Sequence, residues 1–196
     1  MWLNLRKRLK MIKYEELNLK DLNQYDSIIS KYSTTKKYEI TKINRGLGGF
    51  KINLIDVELY EKTFEGNSNK WLSYFNDLSN WKIYVAKDNE KLIGGCVVAT
   101  KTKGCNMLEG RDDLAVLWDI RVSEGYKHQG IGQHLFDLAI DYCKTNNFKQ
   151  FKIECQNTNP NAVNFYHKQG ATLCAINEYA YSDCPNETQL LWYIDL

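Results

Sequence analysis

The chain has 196 residues, of which 43% are hydrophobic and 26% are charged. This length and balance suit one folded domain with a core and exclude an intrinsically disordered protein. The formal net charge is only +2 at pH 7, so the composition does not predict the basic face that nucleic-acid binding needs. The longest strongly apolar run, at residues 92–99, is far shorter than a membrane-spanning helix. We therefore expect neither nucleic-acid nor membrane partners.

The cysteines and histidines carry no metal-binding pattern. Six cysteines are scattered without a C-x-x-C pair, and the three histidines form no H-E-x-x-H motif. The N-terminus is basic but lacks the sustained apolar stretch and small-residue cleavage site of a signal peptide. These features predict a reduced, cytoplasmic protein without a structural metal.

The first half of the chain predicts an arm followed by hairpins. Residues 1–20 mix leucines with arginines and lysines, which predicts a basic N-terminal arm ahead of a single domain over residues 21–196. Strand patterns at 38–44 and 50–59 flank a glycine-rich turn and predict a hairpin. Two short helical pieces are predicted next, at residues 60–64 and 69–78.

A second predicted hairpin joins strands at residues 81–86 and 91–100. Gly94 and Gly95 interrupt its second strand, which indicates a bulge or a close backbone approach. Residues 101–113 break the periodicity and predict a loop, either beside a substrate or simply solvated.

The central predicted strand alternates between two faces. One face carries Leu114, Val116, Trp118, Ile120 and Val122, and the other carries Ala115, Leu117, Asp119 and Arg121. A polar loop follows, and then Gly130 and Gly132 open an apolar helix that runs to about residue 144. No Ser, Thr, Asp or Asn stands at the junction to cap this helix, so its first amides are free for an external anion such as a phosphate.

The next strand, residues 149–156, follows a helix-length crossover, which predicts a parallel pair with the central strand. A third helix then begins with Asn159 as cap and Pro160 at its first position, and Gly170 suits its end. Further strands are predicted at residues 172–181 and 187–194.

Two of these segments resemble one family. The run Lys127-His128-Gln129-Gly130-Ile131-Gly132 is similar to the acyl-CoA pyrophosphate loop of the GCN5-related N-acetyltransferase (GNAT) superfamily, except that Lys127 replaces the usual Arg or Gln. Residues 159–171 resemble the family's Asn-x-x-Ala-x-x-Phe-Tyr-x-x-x-Gly-Phe segment, with Ala171 in place of the last aromatic. The closing strand and the region after Trp118 also resemble streptothricin-type small-molecule acetyltransferases.

The resemblance implies an α/β (α+β) fold, with a mixed, mostly antiparallel sheet, a central parallel strand pair and helices on both faces. It also implies acetyl-CoA as cofactor and a small-molecule primary amine as acceptor. By the same resemblance, backbone groups of the central strand pair with pantetheine, the glycine loop holds the pyrophosphate, and Tyr166 acts as general acid to the thiolate. The implied cofactor-binding residues are Ile120, Val122, Lys127, His128, Gln129, Gly130, Ile131, Gly132, Gln133 and Asn159.

Acetylation of an amine at neutral pH is expected to need a general base. Alkyl amines have pKa values of about 10, so a fraction of only roughly 10⁻³ of the amine is uncharged at pH 7. Asp119 is the first candidate for this base and Glu154 the second, with a water chain as the alternative. Aromatic side chains that could line a pocket for a cationic amine, or else pack in the core, are Trp81, Trp118, Tyr179 and Tyr181.

Other interpretations of the motifs are weaker or remain open. A dinucleotide fingerprint would need a third glycine where Leu135 stands, and no Walker A loop is present. Cys155 could be a nucleophile near His167, although its strand position favours a buried thiol. A non-catalytic acyl-CoA-binding module, a protein or peptide N-acetyltransferase and another nucleotide-binding protein stay open, as does assembly into a homodimer.

Overall fold

The computed structural model describes residues 11–66 and 68–196, and a seven-stranded sheet forms the centre of this part of the chain. The strand order is β1-β4-β5-β6-β7-β9-β8, and β2 and β3 form a separate hairpin. The strands are β1 Ile12–Glu16, β2 Ser30–Lys42, β3 Phe50–Phe64, β4 Lys82–Asp88, β5 Lys91–Thr100, β6 Leu114–Val122, β7 Gln150–Gln156, β8 Thr172–Asn177 and β9 Gln189–Asp195. The α-helices are α1 Ser68–Phe75, α2 Ile131–Thr145 and α3 Pro160–Lys168.

The β6–β7 pair is parallel, as the crossover predicts, but the pairing is short. Residues 114–117 of β6 pair with residues 150–153 of β7. Beyond that point β6 stays bonded to β5, and β7 stays bonded to β9. The two strands therefore separate towards their C-terminal ends and leave a gap in the middle of the sheet.

A β-bulge in β6 changes which way its side chains point. Val97 of β5 pairs with Asp119 and Val98 pairs with Leu117, so Trp118 is the extra residue. Val116 and Trp118 belong to one core layer, whereas the side chains of Ile120 and Val122 pack against the other. The uniform alternation predicted for β6 holds to Trp118 and is wrong after it, because simple period-2 counting ignores the inserted residue.

Helices cover both faces of the sheet, as predicted. One layer packs α2 and α3 against the sheet through Leu135, Phe136, Val163 and Tyr166. The other layer holds Leu22, Tyr25 and Ile28 from the 3-10 helix Leu19–Ser27 and its end, with Trp71 and Phe75 of α1 packed against it. The cavity described below draws side chains from both layers.

The two glycines in β5 allow close contact on both of its faces. A Cβ at Gly94 would lie 3.1 Å from Cγ2 of Ile131 in α2, and a Cβ at Gly95 would lie 2.3 Å from Cε2 of Tyr25. The predicted close approach is therefore confirmed. The pairing of β4 with β5 also shifts register beside Gly94, which is the bulge that the glycines indicated.

The first hairpin is longer than predicted. Its strands span 13 and 15 residues, and residues 30–34 pair with residues 60–64. The short helix predicted at residues 60–64 is therefore wrong, because Tyr60, Lys62 and Phe64 alternate with more exposed residues, as in a strand. The next predicted helix is confirmed as α1.

The N-terminal boundary also differs from the prediction. Residues 1–10 of the predicted arm lie outside the described residues, but β1 pairs along its whole length with the edge of β4. Residues 12–16 therefore belong to the sheet, because their alternating side chains match an edge strand. Within residues 11–66 and 68–196, no helix is both long and apolar enough to cross a membrane.

Replacing Gly95 with alanine is expected to destabilise the fold. The added methyl group would overlap the fully buried ring of Tyr25, and overpacking of this kind costs about 1–3 kcal/mol in the free energy of unfolding. Urea denaturation of Gly95→Ala measures this loss. Gly125→Ala is the matched control, since a Cβ at Gly125 meets nothing within 4 Å; equal stability of the two variants would contradict the packing argument.

Candidate active site

A cavity of about 780 Å³ occupies the gap between β6 and β7. Its walls come from β6, β7, the loop before α2, the start of α3 and the base of the β2–β3 hairpin. The hairpin base is the paired segments 30–34 and 60–64. The residues that line the cavity include Ser30, Tyr32, Phe64, Met107, Trp118, Asp119, Ile120, Val122, Lys127, His128, Gly130, Gly132, Gln133, Glu154, Cys155, Asn159 and Tyr166.

One end of the cavity has a backbone arrangement that suits an anion. Gly130 stands before α2 with φ 81°, and no side chain caps the helix. The first amides of α2 therefore have no intrahelical partner, and they lie at the positive end of the helix dipole. Gly132 keeps the approach open, since a Cβ there would find only Val122 Cγ2 at 3.7 Å. A phosphate group fits this end.

The neighbouring edge of β6 can bind an extended chain. Ile120 and Val122 line the cavity and have no β7 partner, because the ladder to β7 stops at Leu117. An exposed strand edge offers backbone donors and acceptors to an added strand-like segment. The phosphate end and this edge are continuous, so one ligand can occupy both.

Most predicted cofactor-binding residues meet in this cavity, but two side chains do not. Gln129 instead donates to the carbonyl of Gly125 at 3.1 Å, and Ile131 is 2% exposed in the core. Asn159 caps α3 by accepting from the amide of Ala162 at 3.1 Å, as predicted for the helix start. Gln133 donates to Gln169 at the end of α3 at 2.7 Å, which ties the two helices together.

Tyr166 lies in the cavity wall with an uncommitted hydroxyl. Its side chain is 6% exposed and packs near Phe136 and Phe165. Its hydroxyl forms no hydrogen bond with the described residues. Burial raises the pKa of Tyr166 well above its ordinary value, so the phenol holds its proton at neutral pH.

Asp119 is held in a buried ion pair. Its Oδ2 accepts from the Tyr25 hydroxyl at 2.5 Å and from Arg121 Nε at 2.7 Å. The Arg121 guanidinium also lies over the Tyr25 ring, 5.2 Å from the ring centroid. Burial, followed by the charge of Asp119, raises the pKa of Tyr25 well above its ordinary value. One carboxylate oxygen thus serves two buried partners.

Among the described residues, the groups that bind Glu154, the second predicted base, are neutral. Its Oε1 accepts from the Tyr181 hydroxyl at 2.5 Å, and its Oε2 accepts from Gln189 Nε2 at 3.0 Å. Glu154 lies on β7 and Asp119 on β6, so the cavity places the two carboxylates on opposite sides of the gap.

Comparison with known proteins decides what this cavity belongs to. Residues 53–171, more than half of the chain, match the model of the acetyltransferase (GNAT) family. The chain belongs to this family. GNAT enzymes use acetyl-CoA, so this chain is an acetyl-CoA-dependent N-acetyltransferase, and the phosphate end and the β6 edge fit the pyrophosphate and the pantetheine of that molecule.

Two curated relatives are streptothricin acetyltransferases. Streptothricin acetyltransferase A of Bacillus subtilis is 35% identical over 81 residues, which are 40% of this chain and 47% of the relative. That match spans about half of the relative's length. Streptothricin acetyltransferase of Escherichia coli is 26% identical over 147 residues, covering 71% of this chain and 81% of the relative.

Solved structures share the fold over almost the whole chain. The crystal structure of nourseothricin acetyltransferase superposes with a TM-score of 0.74 at 20% identity, covering 94% of this chain and 98% of that chain. A Bacillus anthracis protein solved in complex with acetyl coenzyme A gives a TM-score of 0.73 at 23% identity, covering 95% and 98%. The predicted fold class is confirmed.

Of the aromatic residues predicted to line a pocket, the structure of this acetyltransferase places some at the cavity and others away from it. Trp118 lines the cavity, whereas Trp81 is 5% exposed in the core and donates its Nε1 hydrogen to Thr102 Oγ1 at 2.8 Å. Tyr181 reaches the site through Glu154, and Tyr179 is 88% exposed. The structure therefore does not support Trp81 as a pocket residue, because its indole fills the layer behind Trp118, with ring centroids 5.0 Å apart.

Sequence reasoning missed the contribution of the hairpin base and of Tyr25. Ser30, Tyr32 and Phe64 line the cavity from β2 and β3. No motif marks them, since their position depends on how a long hairpin docks. For Tyr25 the available signal was Gly95, whose missing side chain admits the Tyr25 ring.

Cys155 is a buried thiol of this acetyltransferase. It is 3% exposed, and burial raises its pKa to about 12. The thiolate is the nucleophilic form of cysteine, so this environment does not suit Cys155 as a nucleophile.

A bulky side chain at Gly130 is expected to block acetyl-CoA. Gly130→Trp fills the turn before α2 and forces a non-glycine residue into a left-handed conformation. We expect the affinity for acetyl-CoA to fall by roughly 100-fold, about 2.7 kcal/mol, in isothermal calorimetry. Gly49→Trp controls for backbone strain, since Gly49 has a similar φ of 88° at the hairpin tip. Unchanged affinity of Gly130→Trp would refute the placement of the pyrophosphate.

Proposed function

We propose that this enzyme transfers the acetyl group of acetyl-CoA to a primary amine of a cationic small molecule by direct attack. The observation that carries the proposal is that the Tyr166 hydroxyl, two carboxylates and the anion-binding loop meet in one cavity. Streptothricin-type antibiotics are the first candidate acceptors, because two curated relatives are named as streptothricin acetyltransferases.

Acetyl-CoA supplies an activated thioester, and the chain supplies donors around it. The proposed oxyanion donor is a backbone amide on the free edge of β6, at Ile120 or Val122; such donors contribute on the order of 10²–10³ in rate. Tyr166 is proposed to give its proton to the departing sulfur, which suits a phenol that is protonated at neutral pH. Asn159, at the start of α3, is proposed to contact the pantetheine.

The geometry favours Glu154 over Asp119 as the proposed base. A proton on Asp119 would disturb its ion pair with Arg121, whose side chain is 6% exposed. Within the described part of the chain, a proton on Glu154 would disturb only hydrogen bonds from Tyr181 and Gln189. We therefore assign Glu154 to proton removal from the amine, directly or through water, and Asp119 to holding the bulged part of β6.

Trp118 is the proposed contact for the cationic acceptor. Its ring lines the cavity beside Asp119, and an aromatic face next to carboxylates attracts ammonium groups. A streptothricin, a polyamine and a peptide with a free N-terminus, tested side by side for release of free CoA thiol, decide the acceptor. Turnover of the peptide alone would overturn the small-molecule proposal, and turnover of none of these amines would contradict it. Assembly into a homodimer and a cytoplasmic location remain predictions.

Replacing Tyr166 with phenylalanine is expected to slow turnover and leave binding intact. The variant keeps the packing against Phe136 and Phe165 but removes the proposed acid, so kcat should fall roughly 10²-fold or more while the Kd for acetyl-CoA is retained. Tyr142→Phe removes a phenol outside the cavity and serves as control. Full activity of Tyr166→Phe would exclude this residue as the acid.

The two carboxylates are expected to respond differently to amide substitution. Glu154→Gln should lower kcat/KM by roughly 10²-fold, since the proposed base is lost. Asp119→Asn should chiefly lower stability, by roughly 3–5 kcal/mol, because it leaves Arg121 buried without a counter-charge. Steady-state kinetics and thermal melts distinguish the two. The opposite pattern would return the role of base to Asp119.

A further inference from the structure

Strand β2 of the hairpin crosses the gap between β6 and β7. On the β6 side, the Lys127 ammonium donates to the carbonyl of Lys31. On the β7 side, the amide of Tyr38 donates to the carbonyl of Asn157 at 2.9 Å, and the Tyr38 hydroxyl donates to Asn164 Oδ1 of α3 at 2.8 Å. The hairpin therefore spans both sides of the opening that holds the site.

Two hairpin side chains enter the cavity as a pair. Tyr32 and Phe64 line it together, with ring centroids 5.9 Å apart and the planes 27° from parallel. The Tyr32 hydroxyl lies 3.5 Å from Thr158 Oγ1, next to the cap of α3. These rings form one wall of the space that the acceptor would share with Trp118.

A buried carboxylate outside the cavity wall anchors this part of the hairpin. Glu187 is 4% exposed, and both of its carboxylate oxygens lie 2.7 Å from Lys62 Nζ. The Tyr60 hydroxyl donates to Glu187, and Thr158 Oγ1 lies 3.4 Å from the same oxygen. Strand β3, the segment before β9 and the β7–α3 connection therefore meet at one charge.

The cost of an unpaired buried charge favours one position of the hairpin base over others. Burying a carboxylate is unfavourable unless a cation and hydrogen-bond donors compensate for lost water. The Lys62 cation and the Tyr60 hydroxyl, which compensate for the charge of Glu187, both come from the hairpin. If the hairpin base moved away, only the Thr158 hydroxyl would remain of the partners named above. The charge therefore favours the position in which Tyr32 and Phe64 close the cavity.

We propose that Glu187 is a positioning residue whose ion pair with Lys62 fixes the hairpin base as the wall of the acceptor pocket. Lys62 Nζ also lies 5.9 Å from the centroid of the Phe64 ring, which links the ion pair directly to the cavity wall. The role in acceptor binding depends on the proposed function, whereas the fixing of the hairpin does not.

The test combines hydrogen exchange with kinetics on the full chain. Glu187→Gln, Lys62→Met and the double variant are compared with Asp56→Asn. The control breaks the Lys36–Asp56 pair of the same hairpin, whose charged side chains are 2.9 Å apart and 52% and 84% exposed. Lys62→Arg retains a cation and tests rescue.

For Glu187→Gln we expect faster amide exchange at residues 30–34 and 60–64 and an acceptor KM raised roughly 10-fold, with kcat within about threefold. Affinity for acetyl-CoA should change by less than about twofold, and Asp56→Asn should match the unmodified enzyme. Lys62→Met should be worse than the double variant, because it alone leaves Glu187 charged and unpaired.

Unchanged exchange in both Glu187→Gln and Lys62→Met would overturn the proposal. So would additive effects in the double variant, or an effect of Asp56→Asn equal to that of Glu187→Gln. If the unmodified protein turned over no amine, the proposed function would fail, and the exchange data would still decide whether Glu187 fixes the hairpin.

Discussion

The short pairing between β6 and β7 is the constraint on which the site depends. Four residue pairs join the strands, and then each strand follows its antiparallel neighbour. A continuous ladder would satisfy the β6 backbone and leave no edge for a ligand. The gap instead leaves β6 without a β7 partner beyond Leu117, beside the start of α2, so a ligand placed there would meet both a strand edge and the helix dipole.

The bulge at Trp118 determines which chemistry faces that gap. Without the extra residue, Asp119 would share a face with Leu117; with it, Asp119 meets Tyr25 and Arg121 in the opposite layer. The same step turns Ile120 and Val122 toward the layer of α2 and α3. One inserted residue thus puts the Asp119–Arg121 ion pair in one layer and the side chains of Ile120 and Val122 in the other.

Local patterns were enough to predict the features that depend on neighbouring residues. The bounds of β5 and β6, the uncapped start of α2 and the Asn159 cap follow from periodicity and from backbone chemistry. The bulge, the docking of the hairpin and the partners of Glu187 depend on residues far apart in the chain. Trp81 shows the difference: its residue type suited a pocket, but only packing could place it behind Trp118.

At Gly94 and Gly95 the two core layers are separated by the backbone of β5 alone. Tyr25 presses on one side of it and Ile131 on the other, with no side chain of β5 between them at these positions. The Tyr25 hydroxyl donates a hydrogen bond to Asp119 in the cavity, and Ile131 is the first residue of α2. Residues on the two faces are therefore not independent, and substitutions at Tyr25 and along α2 should be chosen together when this enzyme is redesigned.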